Sequence, residues 1–421
     1  MMAKQISLAV VAVAIMLGMS KLQPHNEEAL LSDWSTPPPW PIFIAVNVLA
    51  GALRAAADAL TPPPFKILDM VFGAHQTQLV HIAQKFKIPD LLADGPLTAA
   101  EIATKIGSDA TFIERIMYAC AANGLFKLAA PTPDQKGHRF VNTALSAVLR
   151  RDHPNSMAGA AGHNAEDAWP AWGKLADFVA NPTGPVGWEL ANPDYPNGKN
   201  SAGLWDFYEQ NPTREEQFTR AMSAMETLGT NAMVEDGPFT GFSRVIDVGG
   251  GRGHFTHKLL EANPDLKGVV FDRPAVINFA KKAWVEGGEF ASAVNRVELK
   301  EGSFFHATDI PKGMDGDLYL MRYILHDWPT EEVLTILRNV RGAMGNSNST
   351  LLIGECALPD HDTVGVPPAM YNIDVQMMVF FGGAQERTPS QWKELFTQSG
   401  FELVRFHATR SLLHWVEAKP I

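Results

Sequence analysis

Cysteine is scarce in this 421-residue chain: there are two, Cys120 and Cys356, far apart. That excludes a disulfide framework and a zinc ribbon, and both read as small core hydrophobes. Basic excess is also missing. Lys and Arg number 35 against 46 Asp and Glu, a net charge of −11, so there is no electrostatic footprint for nucleic acid. The 13 histidines form no H-E-x-x-H pattern. His254 and His257 share a helix face that reads as solvated, and no metal is expected. No internal repeat or long low-complexity tract occurs. Apolar residues are plentiful: at 46% hydrophobic content the chain can bury a large core, with two domains the natural division.

Lys4 precedes an uncharged run, Ile6 to Met19, and Gly18-Met19-Ser20 offers a small-x-small cleavage site. Residues 1–22 read as a signal or targeting segment for an organelle or the secretory pathway; a packed helix in a cytoplasmic protein is the alternative. Residues 23–64 are a proline-rich linker and a second apolar segment, Ile42 to Leu60, set between Pro37-Pro38-Pro39 and Pro62-Pro63-Pro64. Arg54 breaks this segment, which therefore reads as a packing helix; membrane association of the N-terminus is the alternative.

Residues 65–152 are helical and compact. Thr98-Ala99-Ala100-Glu101 is a capping box opening a helix with Ile102 and Ile106 on one face. A second helix from Ala110 turns Ile113, Ile116, Met117 and Cys120 inward and stops at Gly124. Phe126-Lys127-Leu128 and His138 to Val141 pair around Pro131-Thr132-Pro133-Asp134. The outline is a winged helix, but it has no dense basic recognition helix. Residues 153–235 form a helical connector rich in aromatics.

From residue 236 strands alternate with helices, which predicts a doubly wound α/β sheet. Val245 to Val248 is a buried strand running into Gly249-Gly250-Gly251-Arg252-Gly253. This G-x-G-x-G turn suits close approach of a nucleotide-like ligand, without the spacing of a pyrophosphate site. The next strand ends at Asp272, placed to accept hydrogen bonds from ribose hydroxyls. A third strand tip carries Gly302-Ser303-Phe304-Phe305, and a fourth strand delivers His326 just beyond its carboxyl end.

These segments, together with Ile353 to Pro359, Ile373 to Met378 and Gly383 to Thr388, resemble the S-adenosylmethionine-dependent small-molecule O-methyltransferases of the caffeic acid and acetylserotonin type. The resemblance runs from about Phe65 to the C-terminus. It implies a Rossmann-like methyltransferase domain over 236–421, a winged-helix dimerisation domain over 65–152, a homodimer, and a small-molecule acceptor.

It also implies roles for residues. Gly249 and Gly251 lie against the methionine part of the cofactor, Asp272 takes the ribose with Arg273 beside it, and Ser303 and Phe304 border the adenine near Arg322. Ser303 replaces the family's usual aspartate and Arg322 its usual lysine; Arg322 keeps the charge but not the geometry. His326 is the general base, flanked by Glu355 and Glu386, and Asp327 is a local cap. Phe207, Met222, Met377 and Phe381 line the acceptor pocket. S-methylation of a small thioether acid, as in methylthiohydroxybutyrate methyltransferases on the same scaffold, is the rival reading. A non-catalytic winged-helix scaffold is a third.

Overall fold

The structure, a computed structural model, describes residues 36–130, 137–196, 202–361 and 366–421. The expected targeting segment and the Pro131 to Asp134 turn lie outside the described residues. The chain divides into two compact units, one of residues 1–169 and 213–225, the other of 170–212 and 226–421. The helix Pro212–Asp236 contributes to both, so the stretch 153–235 is shared between the units.

In the first unit each triple-proline run opens a helix, Trp40–Leu60 and Pro63–Lys85, because proline's fixed φ suits the first helical turn and its missing N–H is not needed there. Next come strand β1 (Leu97–Thr98) and the helix Ala99–Ile106, closed by the reciprocal Thr98–Glu101 capping bonds. The helix Ala110–Ala122 is capped by Asp109, whose carboxylate accepts from Thr111 and Phe112 N–H. Strands β2 (Phe126–Leu128) and β3 (Arg139–Asn142) pair antiparallel, and β1 joins to give the order β1-β3-β2. Ile102, Ile113, Met117, Cys120, Phe126 and Phe140 form the core. The Trp40–Leu60 helix departs from the expected packing helix: among the described residues it buries none of its own.

The second unit is built on a seven-stranded sheet. Its strands are β4 (Arg244–Val248), β5 (Lys267–Asp272), β6 (Val297–Glu301), β7 (Asp317–Arg322), β8 (Thr350–Glu355), β9 (Phe401–Ala408) and β10 (His414–Pro420). Their order is β6-β5-β4-β7-β8-β10-β9, parallel from β6 to β8 and antiparallel at β10 and β9. Period-two alternation sends Ile246 and Val248 into the core shared with the helices Thr330–Met344 and Pro389–Ser399, and Val245 into the core shared with the helix His254–Ala262. Strand order reverses between β4 and β7, and open α/β sheets bind ligands at such a point, beyond the carboxyl ends of their strands. One expected solvated face is in fact packed. His257 is buried against Phe290 and Trp284 and bonded to Ser292 Oγ at 2.8 Å, because its helix lies on the sheet with that side inward.

Candidate active site

The turn after β4 is held by its neighbour strand: Gly249 and Gly250 N–H both donate to Phe271 O, at 2.8 and 3.2 Å. Gly249 sits at φ 78°, and a Cβ there would fall 2.4 Å from Ile324 Cδ1, so a side chain is excluded by both backbone and space. Gly251, at φ 59°, has nothing within 4 Å of where a Cβ would stand; it leaves an open cradle at the switch point. Its N–H donates to Asp272 Oδ2 at 2.8 Å, while Arg273 N–H donates to Oδ1 at 2.7 Å. Burial pushes the Asp272 carboxyl up and these bonds hold it down. Each oxygen keeps a lone pair for a further donor.

Arg322 ends β7 with a buried side chain. Its Nη2 pairs with Glu226 at 3.0 Å and its guanidinium lies 4.6 Å from the Phe255 ring centroid, while Nε and Nη1 have no hydrogen-bond partner among the described residues. Buried donors without acceptors are costly, so a polar ligand fits here. Ser303 is engaged locally: its N–H donates to Asp309 and its hydroxyl accepts from Phe305 N–H. Phe304 packs against Phe305 and the Trp328 edge.

Past β7 the chain bends sharply. Tyr323 takes φ 54°, a left-handed conformation uncommon for a bulky residue and a mark of local strain. The bend is followed by two amides, Ile324 and Leu325 N–H, that donate to Glu355 Oε1 at 3.0 and 2.8 Å. His326 follows in a short 3₁₀ turn, Leu325–Asp327. Its Nδ1 lies 2.7 Å from Glu386 Oε1 and 3.7 Å from Glu355 Oε2, and Nε2 lies 3.5 Å from Asp327 Oδ1. An ionised carboxylate only accepts, so Nδ1 carries the proton and donates to Glu386.

Burial alone would lower the His326 pKa, but Glu355, Glu386 and Asp327 outweigh it and push the imidazolium up to about 10. Burial likewise raises Glu355 to about 7, against the pull of His326, and Asp327 to about 6. His326, Glu355 and Glu386 each present one ligand atom within 4.8 Å of the others. Ligands on a tetrahedral cation at about 2.1 Å stand roughly 3.4 Å apart. The 2.7 Å contact is shorter than that and is a hydrogen bond.

Three residues of this site had not been picked out from the sequence. Arg387 is buried, and its Nη1 and Nη2 donate to Leu325 O and Trp328 O, both at 2.8 Å, clamping the loop that carries His326. Burial pulls its pKa down to about 10 although the nearby carboxylates raise it. Asp374 accepts from Glu386 N–H at 2.8 Å and fixes that carboxylate's backbone. Tyr323 stands 5.7 Å, centroid to centroid, from the imidazole. Each lay inside or beside a segment that carries the family resemblance, Arg387 next to Glu386, Asp374 within Ile373 to Met378 and Tyr323 next to Arg322, but nothing local showed what it would touch.

The acceptor residues separate. Phe207 packs with Trp188, Tyr195 and Tyr208. Met377 and Phe381 are buried on the helix Pro368–Phe381. Phe381 stacks on Trp205, whose ring also lies under the Arg273 guanidinium at 5.5 Å, linking one expected acceptor residue to one expected cofactor residue. Met222 is half-buried and belongs to the first unit.

A doubly wound sheet with a glycine cradle, an acidic second strand tip and a carboxylate-flanked histidine defines a class I methyltransferase. Residues 172–402 match the O-methyltransferase domain and residues 68–152 the O-methyltransferase dimerisation domain. The chain is 33% identical to a phenazine O-methyltransferase of Lysobacter antibioticus over 84% of its length and 96% of that protein. A mitomycin biosynthesis 6-O-methyltransferase of Streptomyces lavendulae is 30% identical, over 84% of this chain and 92% of the other. In fold it is similar to human N-acetylserotonin methyltransferase in complex with S-adenosylmethionine: TM-score 0.73, 22% identity, 86% of this chain and 99% of that one. The chain therefore belongs to the O-methyltransferase family. It is an S-adenosylmethionine-dependent enzyme that methylates small molecules.

Proposed function

We propose that this enzyme methylates a hydroxyl, most simply a phenolic one, of a flat small molecule, with His326 as the general base. The observation that carries this is the 2.7 Å bond from His326 Nδ1 to Glu386. It fixes the tautomer and leaves Nε2 as the nitrogen that takes a proton. An imidazolium pKa of about 10 matches the roughly 10 of a phenol. Proton transfer between the two is then close to thermoneutral, and the neutral imidazole, a minor form at pH 7, is the one that accepts the acceptor's proton. Glu355 and Glu386 stabilise the positive charge as it forms on the ring.

Bound S-adenosylmethionine supplies a methyl group on a sulfonium. Asp272 would hold the ribose, the Gly249 to Gly251 cradle the methionine part, and Ser303, Phe304 and Arg322 the adenine side. Phe207, Met377 and Phe381 would confine the acceptor, orienting its oxygen and excluding water. Similarity to phenazine and mitomycin methyltransferases supports a fused-ring, hydroxylated acceptor. Match to the dimerisation domain supports a homodimer. A thioether acceptor would leave the His326–Glu386 pair with no proton to move, so the hydroxyl is the better reading.

The test is a mass-spectrometric screen for methyl transfer to pooled phenols, hydroxyindoles and thioether acids, followed by His326→Ala on the best acceptor. We expect turnover to fall roughly 10²–10⁴-fold with S-adenosylmethionine affinity kept and partial rescue at alkaline pH. A fully active variant would remove the base role.

A further inference from the structure

We propose that the helix Trp40–Leu60 seats in the hydrocarbon layer of a lipid bilayer and anchors the enzyme there. The helix has 21 residues and is apolar enough to cross a membrane, and it buries none of its residues among the described part of the chain. Ile42, Ile44, Val46, Val48 and Leu53 are all exposed, Val48 at 67%. A helix apolar on most of its circumference is normally covered by a core or by lipid. No part of this chain covers it among the described residues.

Its dimensions and polar groups fit lipid. Twenty-one residues at 1.5 Å each make about 31 Å, close to the roughly 30 Å hydrocarbon thickness. No charged residue occurs from Trp40 to Leu53. Asn47 is satisfied inside the helix, donating to Phe43 O at 2.9 Å, as is Thr61 just past its end, donating to Ala57 O at 2.9 Å. Charges gather at the C-terminal end: Asp58 pairs with Lys66 at 3.0 Å, and Arg54 lies within a snorkelling side chain's reach of that end. Trp40 stands at the opposite end, where an indole suits a membrane interface.

A second copy of the chain is the competing occupant, and the family match argues against it. The dimerisation domain begins at residue 68, beyond this helix. Exposed Met70, Val71 and Phe72 fall inside that domain and give it an apolar surface apart from this helix.

The experiment is flotation of the full chain on phosphatidylcholine vesicles at low and high salt, with light scattering and methyl transfer measured alongside. The wild type should float at both salts. Val46→Asp/Leu53→Asp should stay at the bottom of the gradient while keeping the oligomeric mass and activity of the wild type. Val11→Asp/Val13→Asp, in the leading apolar run, should still float. In the wild type, vesicles should slow amide hydrogen exchange over 40–60, a readout that needs no variant. The proposal is overturned if the wild type does not float, if salt releases it, if the leading-run variant alone loses flotation, or if exchange is unchanged. Loss of oligomeric mass in the helix variant would overturn it in favour of a second copy.

Discussion

His326 Nδ1 and Glu386 Oε1 stand 2.7 Å apart although 60 residues separate them in sequence. This contact sets the orientation of the imidazole, while Glu355, Glu386 and Asp327 together lift its pKa to about 10 against the lowering effect of burial. Under the proposed general-base role neutral imidazole is the active form, so kcat/KM should rise with pH towards that value. Glu386→Gln removes one negative charge, which lowers the imidazolium pKa. The rising limb should move to lower pH and the maximal rate should fall. Initial rates across pH for wild type and variant check this; an unmoved limb would mean that another group titrates.

Asp272 accepts from Gly251 and Arg273 N–H and keeps capacity for ribose hydroxyls. Asp272→Ala should weaken S-adenosylmethionine binding by about 1.5–3 kcal/mol, more than tenfold. Asp272→Asn, which retains an acceptor, should lose less. Titration calorimetry decides, and unchanged affinity in both would take Asp272 out of the site.

Arg387 serves two carbonyls of the His326 loop at once. Lysine is a point donor and cannot reproduce this fork. Arg387→Lys should lower kcat more than it raises KM. Arg387→Met should also cost stability, about 1–3 kcal/mol for each buried acceptor left without a donor. Urea unfolding and steady-state kinetics separate the two effects; full kcat in Arg387→Lys would show that the clamp does not position His326.

The dimerisation domain at 68–152 leads to a fourth expectation. Light scattering in mild detergent, which covers the apolar 40–60 helix, should give twice the monomer protein mass. A stable monomer at micromolar concentration would contradict it.

A pH dependence of stability follows from the same cluster. His326 has a folded pKa raised to about 10, above the roughly 6.5 of a free imidazole. Its contribution is complete below 6.5 and is lost as pH rises through 10. Thermal melts from pH 7 to 10 should therefore fall in the wild type and fall less in His326→Asn. Parallel slopes would remove this histidine as the cause.

Local signals determined much of this protein. The Thr98–Glu101 capping box, the glycine turn after β4 and the buried strand before it depend on neighbours a few residues away, so backbone sterics and side-chain character expose them in one dimension. His326, Glu355 and Glu386 were recoverable as residues, and their resemblance to family motifs placed them together. Tertiary structure alone decided the rest. The parallel pairing of β7 with β8 and the left-handed bend at Tyr323 place two amides on Glu355, and the Arg387 clamp closes a loop some 60 residues away. Burial of three carboxylates around one imidazole, which turns an ordinary histidine into a strong base, is a property of packing and has no local sequence signature. The bare helix at 40–60 is the converse case: its apolar pattern predicted a packing partner, and only the absence of one within the described chain points to an occupant outside it.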